Sequence, residues 1–344
     1  MIKTSTILQK FFFINFIIFL FVVITAYCIF MYNKSQYDLL LSKQKVSPDS
    51  KIEFPSVNFD NMKFDGECGK IFNQSKATKR DLILFSHQHN YKWIAYKKEM
   101  FFSLSLIRKT LPDVSLTIMT KGNLPKDFIE MCKSFNVHIE ETEGYTLWNS
   151  VNSRIPLALN YLKEHEKEFD RVAWSDLRDM YILRDIFSTV GMDELVWMTE
   201  CKSDTFCYKH RSDTQKLHYY WMIRFFGKKE ADRLTTFDSV TLNGGFGIGG
   251  IHKMIQMLTI WTENIQLKFV TQWGYDQTLL NYLYYNGYFK DINLQIERCT
   301  QRMCFGPELI VDYYTQSFIL KDVQCSPVLM HKDFPDNMRK VFLL

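Results

Sequence analysis

Near its start the chain carries a long, uncharged and mostly apolar run. Positions 11–32, "FFFINFIIFLFVVITAYCIFMY", carry no charged side chain. That is about the length, roughly 20 residues, that crosses a bilayer as a helix. A cleaved signal peptide is the rival reading, but the run exceeds the roughly 7–15 residues of such a core and lacks a clear small-x-small cleavage site. Lys3 and Lys10 precede it. The expectation is therefore a signal anchor with a cytosolic tail over 1–10, a transmembrane helix over 11–32 and everything after it in the lumen. Residues 33–78 then mix Lys, Ser, Asp, Asn and Pro with little periodicity, as in "SKQKVSPDSKIEFPSVNFDNMKFDGECGK", and read as a stem.

From residue 79 onward the pattern becomes regular. "LILFSH" reads as a buried strand and "WIAYKKEMFFSLSLIRKTL" as a helix; "VSLTIMTKG" follows as a strand and "LPKDFIEMCKSF" as a helix. "VHIEETE" is a third strand, and "SRIPLALNYLKEHEKEF" an amphipathic helix leading into a fourth strand that ends "RVAWSDLRD". Short strands alternating with helices of about ten residues or more predict an α/β domain over 79–344, built on a parallel, doubly wound sheet. Ligands of such sheets gather at the carboxyl ends of the strands. The second half is less regular. "VTLNGGFGIGGIHKMIQMLTIW" combines a strand, a glycine-rich turn and a helix, "GYDQTLLNYLYYNG" starts another helix, and "CSPVLMHKDF" is an apolar run with a histidine.

Composition narrows the function. Of 344 residues 47% are hydrophobic, enough for a proper core, and the net charge of +4 comes from scattered basic residues rather than a stripe. That argues against a dedicated nucleic-acid binder, which would normally show such a stripe. Asn33 in "NKS" and Asn73 in "NQS" fit the N-glycosylation sequon, in keeping with a luminal placement. Eight cysteines include Cys28 within the apolar run, which leaves an odd number outside it. Cys201/Cys207 and Cys299/Cys304 are spaced for short loop disulfides, with buried free thiols as the alternative. No paired C-x-x-C knuckles or neighbouring histidines complete a zinc site.

The chemistry concentrates in a few places, each with a plainer reading beside it. Asp176 and Asp179 at a strand end offer hard oxygen ligands to a divalent cation such as Mg²⁺ or Mn²⁺. Alternatively Asp176 caps a turn and Asp179 pairs with Arg178 or Arg184. "LNGGFGIGG" (242–250) has five glycines in nine residues but matches neither phosphate-loop pattern. Its glycines admit a ligand close to the backbone, or simply pack a strand-to-helix turn. Asp276 either serves the site or caps the helix it opens. His331 is a metal ligand, a base or an ordinary surface residue.

Taken in order, these pieces resemble the nucleotide-sugar-dependent glycosyltransferases of the GT-A fold, in particular the glycogenin and galactinol synthase-like group. The order is an apolar strand ending in an Asp pair, then Asn-Gly-Gly, then Asp-Gln-x-x-x-Asn, then an apolar strand ending in His. "SDLRD" is closer to transferases with "TD-x-RD" here than to strict D-x-D. The match spans roughly residues 80–335, and the anchor and stem suit a Golgi or endoplasmic reticulum enzyme. The resemblance implies a GT-A-like, Rossmann-type, mostly parallel sheet flanked by helices. It assigns Asp176, Asp179 and His331 to Mn²⁺ or Mg²⁺, and Ser86, Arg154, Arg178, Asn243, Gly244 and Gln277 to the donor, with Asp276 a candidate catalytic carboxylate. The implied partners are a nucleotide-sugar donor, a glycan, protein or lipid acceptor, and the membrane through the N-terminal helix. Two alternatives stand beside it. A phosphatase with an Asp nucleophile carries its pair after the first strand, not the fourth. A non-catalytic luminal binding or scaffold protein would retain the same fold.

Overall fold

The computed structural model describes residues 59–86, 93–120, 124–143, 145, 147–200, 213–235, 239–305, 309–312, 317–320 and 323–331. The expected tail, membrane anchor and first part of the stem lie outside the described residues, as do 87–90 and the Cys201/Cys207 loop. Among the described residues no helix is long and apolar enough to cross a membrane.

The alternating pattern folds as it reads. β1 (Asp81–Ser86), α1 (Trp93–Thr110), β2 (Ser115–Thr120), α2 (Lys126–Ser134), β3 (His138–Glu141), α3 (Ser150–Glu164) and β4 (Arg171–Ser175) succeed one another. β3, β2, β1 and β4 lie side by side and parallel. Beyond β4 come β7 (Leu242–Gly250), β6 (Leu195–Thr199) and β8 (Leu294–Glu297), giving the order β3-β2-β1-β4-β7-β6-β8. β7 runs antiparallel to both its neighbours, and the other strands share one direction. The protein is therefore mixed α/β with a seven-stranded, mostly parallel central sheet.

Successive strand residues point to opposite faces, and helices cover both. Ile83, Phe85, Ile118 and Ala173 pack with Leu104 and Ile107 of α1 and Phe128 of α2. Leu82, Leu84, Val172 and Trp174 pack on the other side. There they meet Leu159 of α3, Trp261 of α6 (Ile251–Glu263) and Leu280 of α7 (Tyr275–Tyr285). α4 (Asp213–Phe226) and α5 (Lys228–Thr235) lie between β6 and β7 in the chain.

The glycine-rich run departs from the sequence reading, because it is strand and not turn. All nine residues of β7 are buried. The glycines serve close approach rather than unusual backbone angles. At Gly247 a Cβ would collide with the Trp197 indole, and at Gly245 with the Asp176 carboxylate. A strand with side chains there could not lie between β4 and β6.

A second, three-stranded sheet sets β12 (Leu329–His331) between β5 (Met180–Ile182), antiparallel, and β9 (Met303–Phe305), parallel. β10 (Leu309–Asp312) and β11 (Ser317–Leu320) form an antiparallel pair. Residues 59–78, read as stem, belong to this packed body. Met62 is buried with Phe102, Tyr181 and Met330. Lys63 and Ser326 exchange two hydrogen bonds, at 2.9 and 3.0 Å. A disulfide joins Cys68 to Cys325, closing a loop with a sequence separation of 257. Cys299 and Cys304 form the short loop disulfide. Among the described residues Cys132 is a buried free thiol, whose pKa burial pushes up to about 12, so it is inert as a nucleophile.

Candidate metal centre

β4 ends at Ser175, and the backbone N–H of Asp176 still donates to the Gly245 carbonyl at 2.8 Å, so the next strand fixes where the first carboxylate begins. Leu177 then turns into the core, 4% exposed, and Asp179 comes back to the same side just before β5 starts. The three-residue step between the aspartates is the length of that excursion. β5 pairs with β12 so that Met180 lies opposite His331. The small sheet thus delivers a histidine from the far end of the chain next to Asp179, whose Oδ1 is 3.6 Å from His331 Nε2. One ligand atom each of Asp176, Asp179 and His331 lies within 4.8 Å of the others.

Two arginines border this cluster. Arg154, on α3, is buried with its guanidinium 5.1 Å from the Trp174 ring centroid. Its Nη1 donates to Asp176 Oδ1 at 2.5 Å, and its Nη2 donates to Asp276 Oδ2 at 3.0 Å and to the Gly244 carbonyl at 2.6 Å. Burial works against the charge on Arg154, but Asp176 and Asp276 outweigh it and hold its pKa above the ordinary value. Burial likewise pushes the Asp276 carboxyl upward, against the pull of Arg154. Arg178 donates to Asp179 Oδ2 at 2.9 Å, approaches Glu99 at 3.5 Å and lies 4.1 Å from the Tyr96 ring centroid. Its pKa is raised too, since Asp179 and Glu99 overcome the effect of burial. Three aspartates thus share two arginines, and the local charge is left negative, which favours a cation.

The donor set fits a divalent ion. Neighbouring ligands about 2.1 Å from an octahedral cation stand about 3 Å apart, so separations of this size close on an ion with small side-chain movements. Carboxylates suit Mg²⁺ and Mn²⁺, and imidazole is a softer partner that tilts the set toward Mn²⁺.

The remaining expected residues distribute around this centre. Asp276 does not cap its helix. Gly274, at φ +81°, holds the N-cap position of α7, and Asp276 sits in the first turn facing Arg154. Gln277 Oε1 accepts from the Gly244 N–H at 3.1 Å, and Asn243 Oδ1 accepts from the Gly245 N–H at 2.6 Å. Arg154, expected on the donor, lies buried against Asp176 and Asp276 as their counter-ion. Ser86 closes β1 at the same carboxyl end of the sheet as Asp176. Arg184, offered as a partner of Asp179, lies instead by the Phe64 ring.

Two residues escaped the sequence reading. Glu200 follows β6 directly and accepts from Gln277 Nε2 at 3.0 Å and from Asn243 Nδ2, and His218 Nε2 lies 2.8 Å from its Oε2. The signal was there, since "LVWMTE" repeats the strand-then-acid pattern of "RVAWSD". His218, in the middle of α4, carries no such mark.

No known protein family matches this chain, and no curated protein does either. What can be said of function rests on the residues and their geometry.

Proposed function

We propose that the protein is a metal-dependent glycosyltransferase that moves a sugar from a nucleotide-sugar donor to a glycan, protein or lipid acceptor. The observation that carries this reading is the meeting of Asp176, Asp179 and His331, which lie more than 150 positions apart at the extremes, at one carboxyl edge of a mostly parallel sheet. The order of motifs supports a GT-A-like arrangement around them. Asp176, Asp179 and His331 would hold Mn²⁺ or Mg²⁺, which when bound neutralises the charge that develops on the departing diphosphate.

The chain's own residues do the rest. Arg154 orients Asp176 and Asp276 toward one another's neighbourhood and keeps the buried Asp276 beside a counter-charge. Arg178, about one-third exposed, steadies Asp179 and remains within reach of a donor phosphate. Asn243, Gly244 and Gln277 line the donor-sugar side, and Asp276 stands beside them, its Oδ2 3.3 Å from where a Gly244 Cβ would be. The anchor over 11–32 would make this a type II protein of the Golgi or endoplasmic reticulum membrane. The Cys68–Cys325 and Cys299–Cys304 disulfides favour such an oxidising lumen.

The test is a panel of sugar nucleotides incubated with the purified full chain and Mn²⁺. Transfer or hydrolysis of one donor, lost in Asp176→Ala and in His331→Ala, is the expected result; no turnover of any donor sinks the reading. A binding or scaffold protein of the same fold is the second reading, favoured by the way Arg154 already engages both Asp176 and Asp276. It predicts a nucleoside diphosphate that raises the melting temperature with no turnover.

A further inference from the structure

Glu200 is a carboxylate with an 8% exposed side chain, met by the polar side chains of His218, Asn243 and Gln277. A carboxylate only accepts hydrogen bonds, so every group that turns toward it must donate. Asn243 presents Nδ2 to Oε1, and Gln277 presents Nε2 to Oε2. Each side-chain amide is therefore turned with its nitrogen to Glu200 and its oxygen the other way. On that other side stand two backbone N–H groups, which only donate: Gly245 meets Asn243 Oδ1 and Gly244 meets Gln277 Oε1. The network has one self-consistent sense, set by Glu200 on one side and the two backbone N–H groups on the other. His218 Nε2, at 2.8 Å, must carry a proton to face the same carboxylate, and its ring is held edge-on to Trp221 with centroids 5.3 Å apart.

We propose that Glu200 is a positioning residue that locks the Asn243 and Gln277 amides in one orientation, so that this wall of the site, through the half-buried Gln277, presents an N–H donor to a hydroxyl oxygen of a polyhydroxylated ligand. Each amide nitrogen carries two hydrogens, and one of each is committed to Glu200. The second hydrogen of the half-buried Gln277 is the donor that meets the ligand, while Asn243, 1% exposed, braces the backbone behind it. Arg154 holds the Gly244 carbonyl at 2.6 Å, and Trp174 Nε1 donates to that same carbonyl at 3.0 Å, so the Asn243-Gly244-Gly245 backbone is fixed from the opposite side. The wall is thereby built for acceptors of hydrogen bonds held at set positions, as on a sugar ring. This inference rests on the reading of the site as a sugar-nucleotide site, but one of its readouts does not.

Two near-isosteric variants of the full chain test it. Glu200→Gln brings an N–H₂ against at least one of the amides and lets it turn. Glu200→Asp keeps the charge but withdraws the carboxylate by one methylene. Hydrogen exchange in the peptide covering Gly244 and Gly245, without donor or metal, should accelerate in both variants, while exchange in β1, β2 and β4 stays as in the wild type. With a donor that the wild type uses, KM for that donor should rise by about 10- to 100-fold while Mn²⁺ affinity is unchanged. Unaltered exchange at 244–245 in both variants overturns the proposal, and so does loss of protection across the whole sheet in Glu200→Asp, which would make Glu200 merely part of the core. Should the wild type turn over no donor at all, the transferase reading falls while the exchange comparison still decides the role of Glu200.

Discussion

The two ends of β4 hold two buried arginine–aspartate arrangements that look alike and differ in one respect. At the start of the strand Arg171 grips Asp81 with both branches, Nε to Oδ1 at 2.7 Å and Nη2 to Oδ2 at 2.9 Å. Its Nη1 donates to the carbonyls of Ser75 at 3.0 Å and Phe187 at 2.6 Å, and Asp81 Oδ2 also accepts from the Thr78 N–H at 2.7 Å. One charge meets one charge. At the other end Arg154 is divided between Asp176 and Asp276, Asp179 stands by with Arg178 and His331, and the buried Nε of Arg154 has no hydrogen-bond partner among the described residues. The first arrangement is closed and joins the start of β1 to the start of β4. The second has more carboxylates than cations, at the edge where a parallel sheet binds its ligands. Burial and pairing alone do not separate architecture from chemistry; the balance of charge does.

Substitutions on each side should break the comparison cleanly. The largest effect is expected at the carboxyl end: Asp179→Ala should reduce Mn²⁺-dependent turnover by ~100-fold or more and abolish any Mn²⁺-induced rise in melting temperature, with little loss of stability. Asp81→Asn should do the reverse, removing about 3–5 kcal/mol in denaturant unfolding while the folded fraction keeps its metal response, because it strands the Arg171 charge in the core. If Asp81→Asn weakens metal binding instead, the two ends are not separable.

The tie between the stem-like segment and the end of the chain should come next. Cys68→Ser with Cys325→Ser should lower stability by about 2–5 kcal/mol through the longer loop left open in the unfolded chain. His331 should loosen with it, so Mn²⁺ affinity is expected to fall modestly, and a titration with unchanged affinity would show that β12 is held by its strand pairing alone.

The smallest effect belongs to a pair away from both ends. Hydrogen bonding from Arg233 holds the Glu230 carboxyl below its ordinary value near 4.5, with Asn286 adding to it against partial burial. A depressed value in the folded state means the pair stabilises above that ordinary value and stops doing so as the pH falls through the lowered one. Glu230→Gln should therefore differ from wild type by less than about 1 kcal/mol at neutral pH, and the two should converge in acid.

Much of this protein could be read from local pattern. Apolar alternation placed β1 to β4 and the helices between them, and the strand-then-acid step singled out Asp176 and Asp179. It would have singled out Glu200 had "LVWMTE" been read the same way. Glycine content misled at 242–250, because five glycines read as a turn until Trp197 and Asp176 are seen to occupy the room their missing side chains leave. The Cys299–Cys304 loop was legible from spacing, whereas Cys68–Cys325 was not.

By itself the sequence determined the strand and helix periods, the carboxyl-end position of the acidic pair and the residue types available for metal and sugar chemistry, because these depend on neighbours a few positions away. Tertiary structure decided which of them meet. His331 reaches Asp179 only through the pairing of β5 with β12, and Arg154 meets both Asp176 and Asp276 only because α3 brings it to them. Such meetings depend on how distant segments close over a shared core, and nothing in the local pattern of either partner records the other.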